Sequence, residues 1–117
     1  MKVEVFLQSK KGMYDAKGIY EDGKLTILKG SMIADESDIN FKRAKIVDYI
    51  RSSSTHLKGN YLITNVEFSS PSTAAQLVNN ASTNGYIAWK TKEGKTLKEF
   101  IALSNSAEVP NGNLNQR

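Results

Sequence analysis

The stretch FSSPSTAAQL, Phe68–Leu77, places four hydroxyl residues and a proline directly in front of an apolar run. Ser70 fits an N-cap, because its hydroxyl can accept a backbone N–H that the first helical turn leaves unpaired. Pro71 then falls at the first helical position, where its missing N–H costs nothing. Ala74, Ala75, Leu77 and Val78 follow as helix body. The cap accounts for Ser70 and Pro71 but not for Ser69, Ser72 and Thr73 crowding the same helix end. A helix start with free N–H groups and nearby hydroxyls can also hold an anion. A capped helix and a phosphate contact are both compatible with this stretch.

Upstream, Val3, Val5 and Leu7 alternate with Glu4, Phe6 and Gln8, the period of a strand. Tyr14, Ala16, Gly18 and Tyr20 share one face of a second strand, and Asp22-Gly23 signals a tight hairpin into Leu25–Leu28. The first thirty or so residues therefore predict a three-stranded antiparallel meander. Asp38 fits the cap of a helix over 39–52, with Ile46, Val47 and Ile50 as its apolar stripe and Lys42, Lys45 and Asp48 outside. Arg43 falls on the apolar side, either as a packed stem with a paired head or at a ligand or partner surface. Ser52–Thr55 ends that helix, and Tyr61–Thr64 is a short β candidate.

Downstream, the capped helix ends near Asn79-Asn80. Asn84-Gly85 reads as a turn needing positive φ, and the alternation over 86–91 predicts a strand. Trp89 on that strand reads as a core anchor or as a base-stacking ring. Thr96 and Glu99 have capping-box spacing, with Leu97, Phe100 and Ile101 on one face of a short helix. Residues 104–117 are rich in Asn, Gly and Ser and read as a flexible tail. The expected organisation is one α+β domain over 1–103: the meander, two main helices, and a short C-terminal strand and helix.

The chain has 117 residues, a length suited to a single domain. It has no cysteine and one histidine, so neither a disulfide framework nor a thiolate metal site is available. No metal and no cofactor is expected. No apolar run reaches membrane-spanning length, and MKVEVFLQ lacks the apolar core of a signal peptide, so a cytoplasmic protein is expected. The net charge of +4 permits contact with nucleic acid without demanding it.

Catalytic signals are weak. Nothing in the sequence brings His56 to an activated serine. Glu93-Gly94-Lys95 copies half of a metal-nuclease motif, without the paired upstream carboxylate such chemistry needs. Gly18-Ile19-Tyr20 spells half of the GIY-YIG nuclease signature, but the following EDGKLTILKG carries no second half. No catalytic residue is assigned, and the chain is not expected to be an enzyme.

Several pieces stand in one order along the chain: DAKGIYEDGKLTILKGS over Asp15–Ser31, an arginine at Arg43, FSSPSTAA, NGYIAWK over Asn84–Lys90, and GKTL over Gly94–Leu97. From about Tyr14 to Leu103 this resembles domain-of-unknown-function family 4357. The pattern falls on Gly30, Ser31, Arg43, Phe68, Ser70, Pro71, Ser72, Ala74, Ala75, Asn84, Gly85, Trp89 and Lys90. The resemblance implies bacterial company, since such domains sit C-terminal in GIY-YIG nucleases and restriction-related proteins. The SPS…NGxxxW portion also resembles the RAMA domain, a module of restriction and DNA-methylation proteins. These likenesses imply a non-catalytic, DNA-associated accessory module, with a nuclease or restriction subunit as partner. The expected nucleic-acid contacts are Ser70, Ser72 and Thr73 at the helix start, with Lys42, Arg43, Lys45, Trp89, Lys90 and Lys92. A protein–protein docking module without nucleic-acid contact is the alternative.

Overall fold

The computed structural model describes residues 1–35 and 42–108. The chain is mixed α+β. Strands β1 (Lys2–Gln8), β2 (Asp15–Glu21) and β3 (Lys24–Ile27) form the expected meander. The hairpin between β2 and β3 turns on Asp22 at φ 50° and Gly23 at φ 93°, the pair of positive values that an Asp-Gly primed turn requires. Two later strands extend this sheet, β6 (Val66–Phe68) beside β3 and β7 (Lys90–Thr91) beside β1. All neighbours in the resulting five-stranded order, β6-β3-β2-β1-β7, are antiparallel. A small separate hairpin, β4 (Leu57–Lys58) and β5 (Tyr61–Leu62), follows helix α1 (Lys45–Arg51).

One face of the sheet carries the core. Val5, Leu7, Ala16, Tyr20, Leu25, Ile27, Val66 and Phe68 alternate inward and meet Ala74, Ala75, Leu77 and Val78 of α2 (Pro71–Asn79). Val47 and Ile50 of α1 join them, but Ile46 is 44% exposed and lies outside the expected stripe. Buried Ser31 ties the segment after β3 to β2, where its hydroxyl accepts the Lys17 N–H at 3.0 Å.

Other expectations are corrected as well. The helix predicted over 39–52 begins only at Lys45; Ala44 is its N-cap, without a side-chain cap, and donates its N–H to Gln76 Oε1 at 2.7 Å. Lys42 and Arg43 therefore precede the helix, and the Asp38 cap falls outside the described residues. The strand predicted over 86–91 is split. Asn84 accepts the Tyr86 N–H and starts a one-turn helix, α3 (Gly85–Ala88), before the chain re-extends as β7. Tyr86–Trp89 is a short continuous apolar run, which periodicity alone does not assign to strand or helix. Gly85, finally, has no positive φ. Glycine is needed there because a Cβ would come within 2.2 Å of the Pro71 carbonyl group and 2.4 Å of Ser72 N.

Helix α4 (Leu97–Glu108) starts on the predicted capping box: Thr96 N donates to Glu99 Oε1 at 2.8 Å, and Glu99 N to Thr96 Oγ1 at 3.1 Å. It continues through 104–108, where composition alone reads as tail.

Gly85→Ala should cost about 2–3 kcal/mol in urea melts, since the clash is with backbone that cannot swing away. A variant as stable as the parent would mean that α3 can lift off α2. Glu99 yields a pH test. The Thr96 backbone N–H, then its hydroxyl, hold this carboxyl below its ordinary range. A carboxyl depressed on folding contributes stability above its unfolded pKa and loses it as pH falls through the folded value. The stability gap between parent and Glu99→Gln should be full at neutral pH and close as pH drops below the ordinary carboxylate range. A gap independent of pH would contradict the capping box.

Candidate nucleic-acid interface

The start of α2 is occupied from within. Ser70 Oγ accepts the Thr73 N–H at 3.2 Å and lies 3.0 Å from Thr73 Oγ1. Ser72 Oγ accepts the Gly85 N–H at 2.9 Å, and the Pro71 carbonyl accepts the indole N–H of Trp89 at 3.0 Å. The hydroxyls that could have held a phosphate thus hold the helix cap and α3. Trp89 is 0% exposed, so its ring offers no face to a base. Of its two sequence readings, the geometry matches the core anchor; truncating such a ring typically costs about 3–5 kcal/mol.

Arg43 reaches the other end of α2, about 12 Å from its start at 1.5 Å per residue, and Lys42 and Lys45 flank it in sequence. Arg43 Nε pairs with Asp48 Oδ1 at 2.7 Å, and Nη1 donates to Asn80 Oδ1 at 3.2 Å. Asn80 closes α2 in the left-handed conformation at φ 56°. Arg43 is therefore bound up with the helix end, the paired-head alternative of the two read from sequence, while Lys42 and Lys45 stay exposed. Arg51, which sequence reasoning passed over, does related work: it donates to the Leu77 carbonyl at 2.6 Å and the Ala34 carbonyl at 2.9 Å. A cation in this position complements a helix C-terminus.

Lys90 and Lys92 are brought to a different surface, the outer face of the sheet. No described element covers that face. Its side chains are exposed or half-buried and include Glu4, Phe6, Gln8, Asp15, Lys17, Ile19 and Thr26. Lys90, Phe6 and Lys17 stand in register across β7, β1 and β2. The Lys17 ammonium sits 6.0 Å from the Phe6 ring centroid and 3.5 Å from Glu4 Oε2. Two grooves flank Phe6 and Gln8, one toward Lys17 and Lys29, the other toward Lys90 and Lys92. Phe6 and Lys17 were missing from the sequence-based contacts. Strand alternation already put Phe6 on the polar side of β1; its pairing with Lys90 is long-range and left no local signal.

His56 sits in the turn before β4, with Ser53 Oγ 2.7 Å and Thr55 Oγ1 3.2 Å from Nδ1 and the Tyr49 ring edge-on at 5.7 Å. A serine–histidine contact is the beginning of a nucleophile pair, but the base must also be oriented by a third group. Among the described residues no carboxylate bonds the ring. Among the same residues no three His, Asp or Glu side chains are grouped to hold a metal, and no helix is long and apolar enough to cross a membrane.

A family model described as Domain of unknown function (DUF4357) matches residues 5–101. No curated protein and no solved structure matches the chain.

Ser70→Ala should lower stability by about 1 kcal/mol through the lost cap. Ser72→Ala should cost a similar amount, about 1 kcal/mol, because the Gly85 N–H loses its acceptor. Urea melts of both variants check this. A neutral Ser72→Ala would release that hydroxyl from its structural role and return it to ligand binding.

Proposed function

The chain belongs to the DUF4357 family, and we propose that it is a non-catalytic accessory module that positions a nuclease or restriction-type system on DNA. The DNA surface in this reading is the outer sheet face, with Lys90 and Lys92 retained from the sequence-based contacts and Lys17 and Phe6 added. The carrying observation is the row Lys90–Phe6–Lys17, in register across three strands. Ammonium groups at such positions neutralise phosphates and release counterions, a sequence-independent attraction. Contacts of this kind position a protein on DNA and leave sequence choice to base readout or to a partner. That fits a module serving another subunit. Lys42 and Lys45 lie off this face and play no part in it. No cofactor enters the proposal.

The docking alternative has its own observation. Tyr49 and Ile63 are 59% and 41% exposed, and both neighbour His56, Tyr49 through its ring and Ile63 through the His56 carbonyl. Large apolar side chains grouped at a surface favour a protein partner.

Fluorescence anisotropy with labelled DNA across a salt series separates the two. With about three phosphate contacts, the log–log slope of affinity against salt should be roughly −3. Lys90→Ala and Lys92→Ala should each reduce it by about one unit, while Lys42→Ala and Lys45→Ala leave it unchanged. Absence of binding to every probe at low salt would remove the DNA reading and leave docking. Binding that depends on Lys42 and Lys45 instead would move the surface to the far end of α2.

A further inference from the structure

We infer that the groove between β1 and β7 takes a single nucleic-acid strand, with one base stacked on Phe6 and the adjoining phosphates held by Lys90 and Lys92. This rests on the nucleic-acid reading above and specifies its ligand.

Three observations carry it. The two grooves beside Phe6 differ in charge. The one toward β2 includes the Asp15 carboxylate among its lining groups, and its Lys17 is paired with Glu4 of β1. The one toward β7 is lined by Phe6, Gln8, Ala88, Lys90 and Lys92, with no carboxylate in its wall. A phosphate chain therefore meets lysines with no carboxylate among the lining groups on the β7 side, while Lys17 beyond β1 is shared with Glu4. Second, Phe6 is half-buried on an open face, so its ring is reachable, and the Lys17 ammonium beside it marks the electron-rich surface that it offers. An exposed cation–π pair is weaker than base–aromatic stacking, so a base can displace it. Third, Phe6 lies within the sheet surface. A ring set in a sheet reaches a base face only where the base is already unstacked, as in a single strand. In a duplex those faces are covered by neighbouring pairs. Strands about 4.8 Å apart put Lys90 directly beside the ring, a suitable offset for holding the backbone while its base lies inward. Gln8, two residues along the same face, has its amide N–H₂ donating to Asp15 Oδ1 at 3.0 Å, which fixes its orientation at the end of the groove.

The test compares a short oligothymidylate, the matching oligouridylate and a blunt duplex of equal length, by anisotropy at one low salt concentration. The single strands should bind more tightly than the duplex, and the first two probes show whether DNA or RNA is preferred. Phe6→Leu should weaken single-strand binding about 5- to 100-fold without changing the salt slope, since no charge is lost. Phe6→Trp should keep the affinity, and its new indole emission should be quenched on adding the oligothymidylate, while Trp89 stays buried. Thermal melts establish that both variants fold; if Phe6→Leu does not, the Phe6→Trp quench decides alone. Duplex binding as tight as single-strand binding, with Phe6→Leu indifferent, would overturn this inference while the DNA reading stands. An unquenched Phe6→Trp would also overturn it. No binding by any probe would overturn both.

Discussion

A buried indole N–H must find an acceptor, and in this chain it finds the carbonyl of the first residue of α2. Trp89 can reach Pro71 only because Gly85 lets α3 lie with its backbone against the same helix turn. Ser72 then closes the contact by accepting the Gly85 N–H. These three interactions lock one helix start, one helical turn and the chain leaving it into a single block. That block decides where residue 90 emerges, and so which edge of the meander receives the last strand. Placing β7 beside β1 brings Lys90 opposite Phe6. The surface proposed to meet nucleic acid is in this sense a product of the core beneath it.

Local signals in the sequence were readable because the interactions behind them are local. Ser70 caps the residue three positions on, Thr96 and Glu99 cap one another, and Asp22-Gly23 makes the turn that its two positive φ angles allow. Each is complete within a few residues. The α+β class and the family resemblance followed from such pieces. What the sequence left ambiguous was any group whose partner lies far along the chain. A serine at a helix start has the same chemistry whether it meets a phosphate or the N–H of Gly85. Arg43 looks the same whether it faces a ligand or closes on Asp48 and Asn80. The start of α1 departs from the expected one for a related reason: the N–H of its N-cap residue, Ala44, is tied to Gln76 of α2, a partner that no N-cap pattern reveals.

Charge count was a poor guide compared with charge placement. A net +4 is small, and part of it is spent inside the fold. Arg51 holds the carbonyl end of α2, and Arg43 is balanced by Asp48 in direct contact. Lys17 and Lys24 on the outer face have carboxylates within 4 Å, at Glu4 and Glu67. Such exposed pairs contribute little to stability, but they weaken the field that an anion would feel. Lys90 and Lys92 differ in that no carboxylate is among the groups lining their groove and, among the described residues, no ion pair holds them there, although Glu99 lies close enough to feel the charge of Lys90.

That difference has a consequence for how the domain is divided. The meander of β1–β3 supplies a face on which lysines and carboxylates are mixed, and with those three strands alone Phe6 would lie in a nearly neutral field. The positive groove exists only once β7 has paired with β1, and β7 is held there by Trp89, at the immediate N-terminal side of Lys90. The C-terminal part therefore contributes the cations and the anchor, while the N-terminal part contributes the ring. Because the ring and the cations meet only through the Trp89–Pro71–Gly85 block, nucleic-acid affinity and the integrity of that block are coupled. Weakening the anchor would loosen the groove before it disturbed the hairpin of β2 and β3, whose turn and pairing are self-contained.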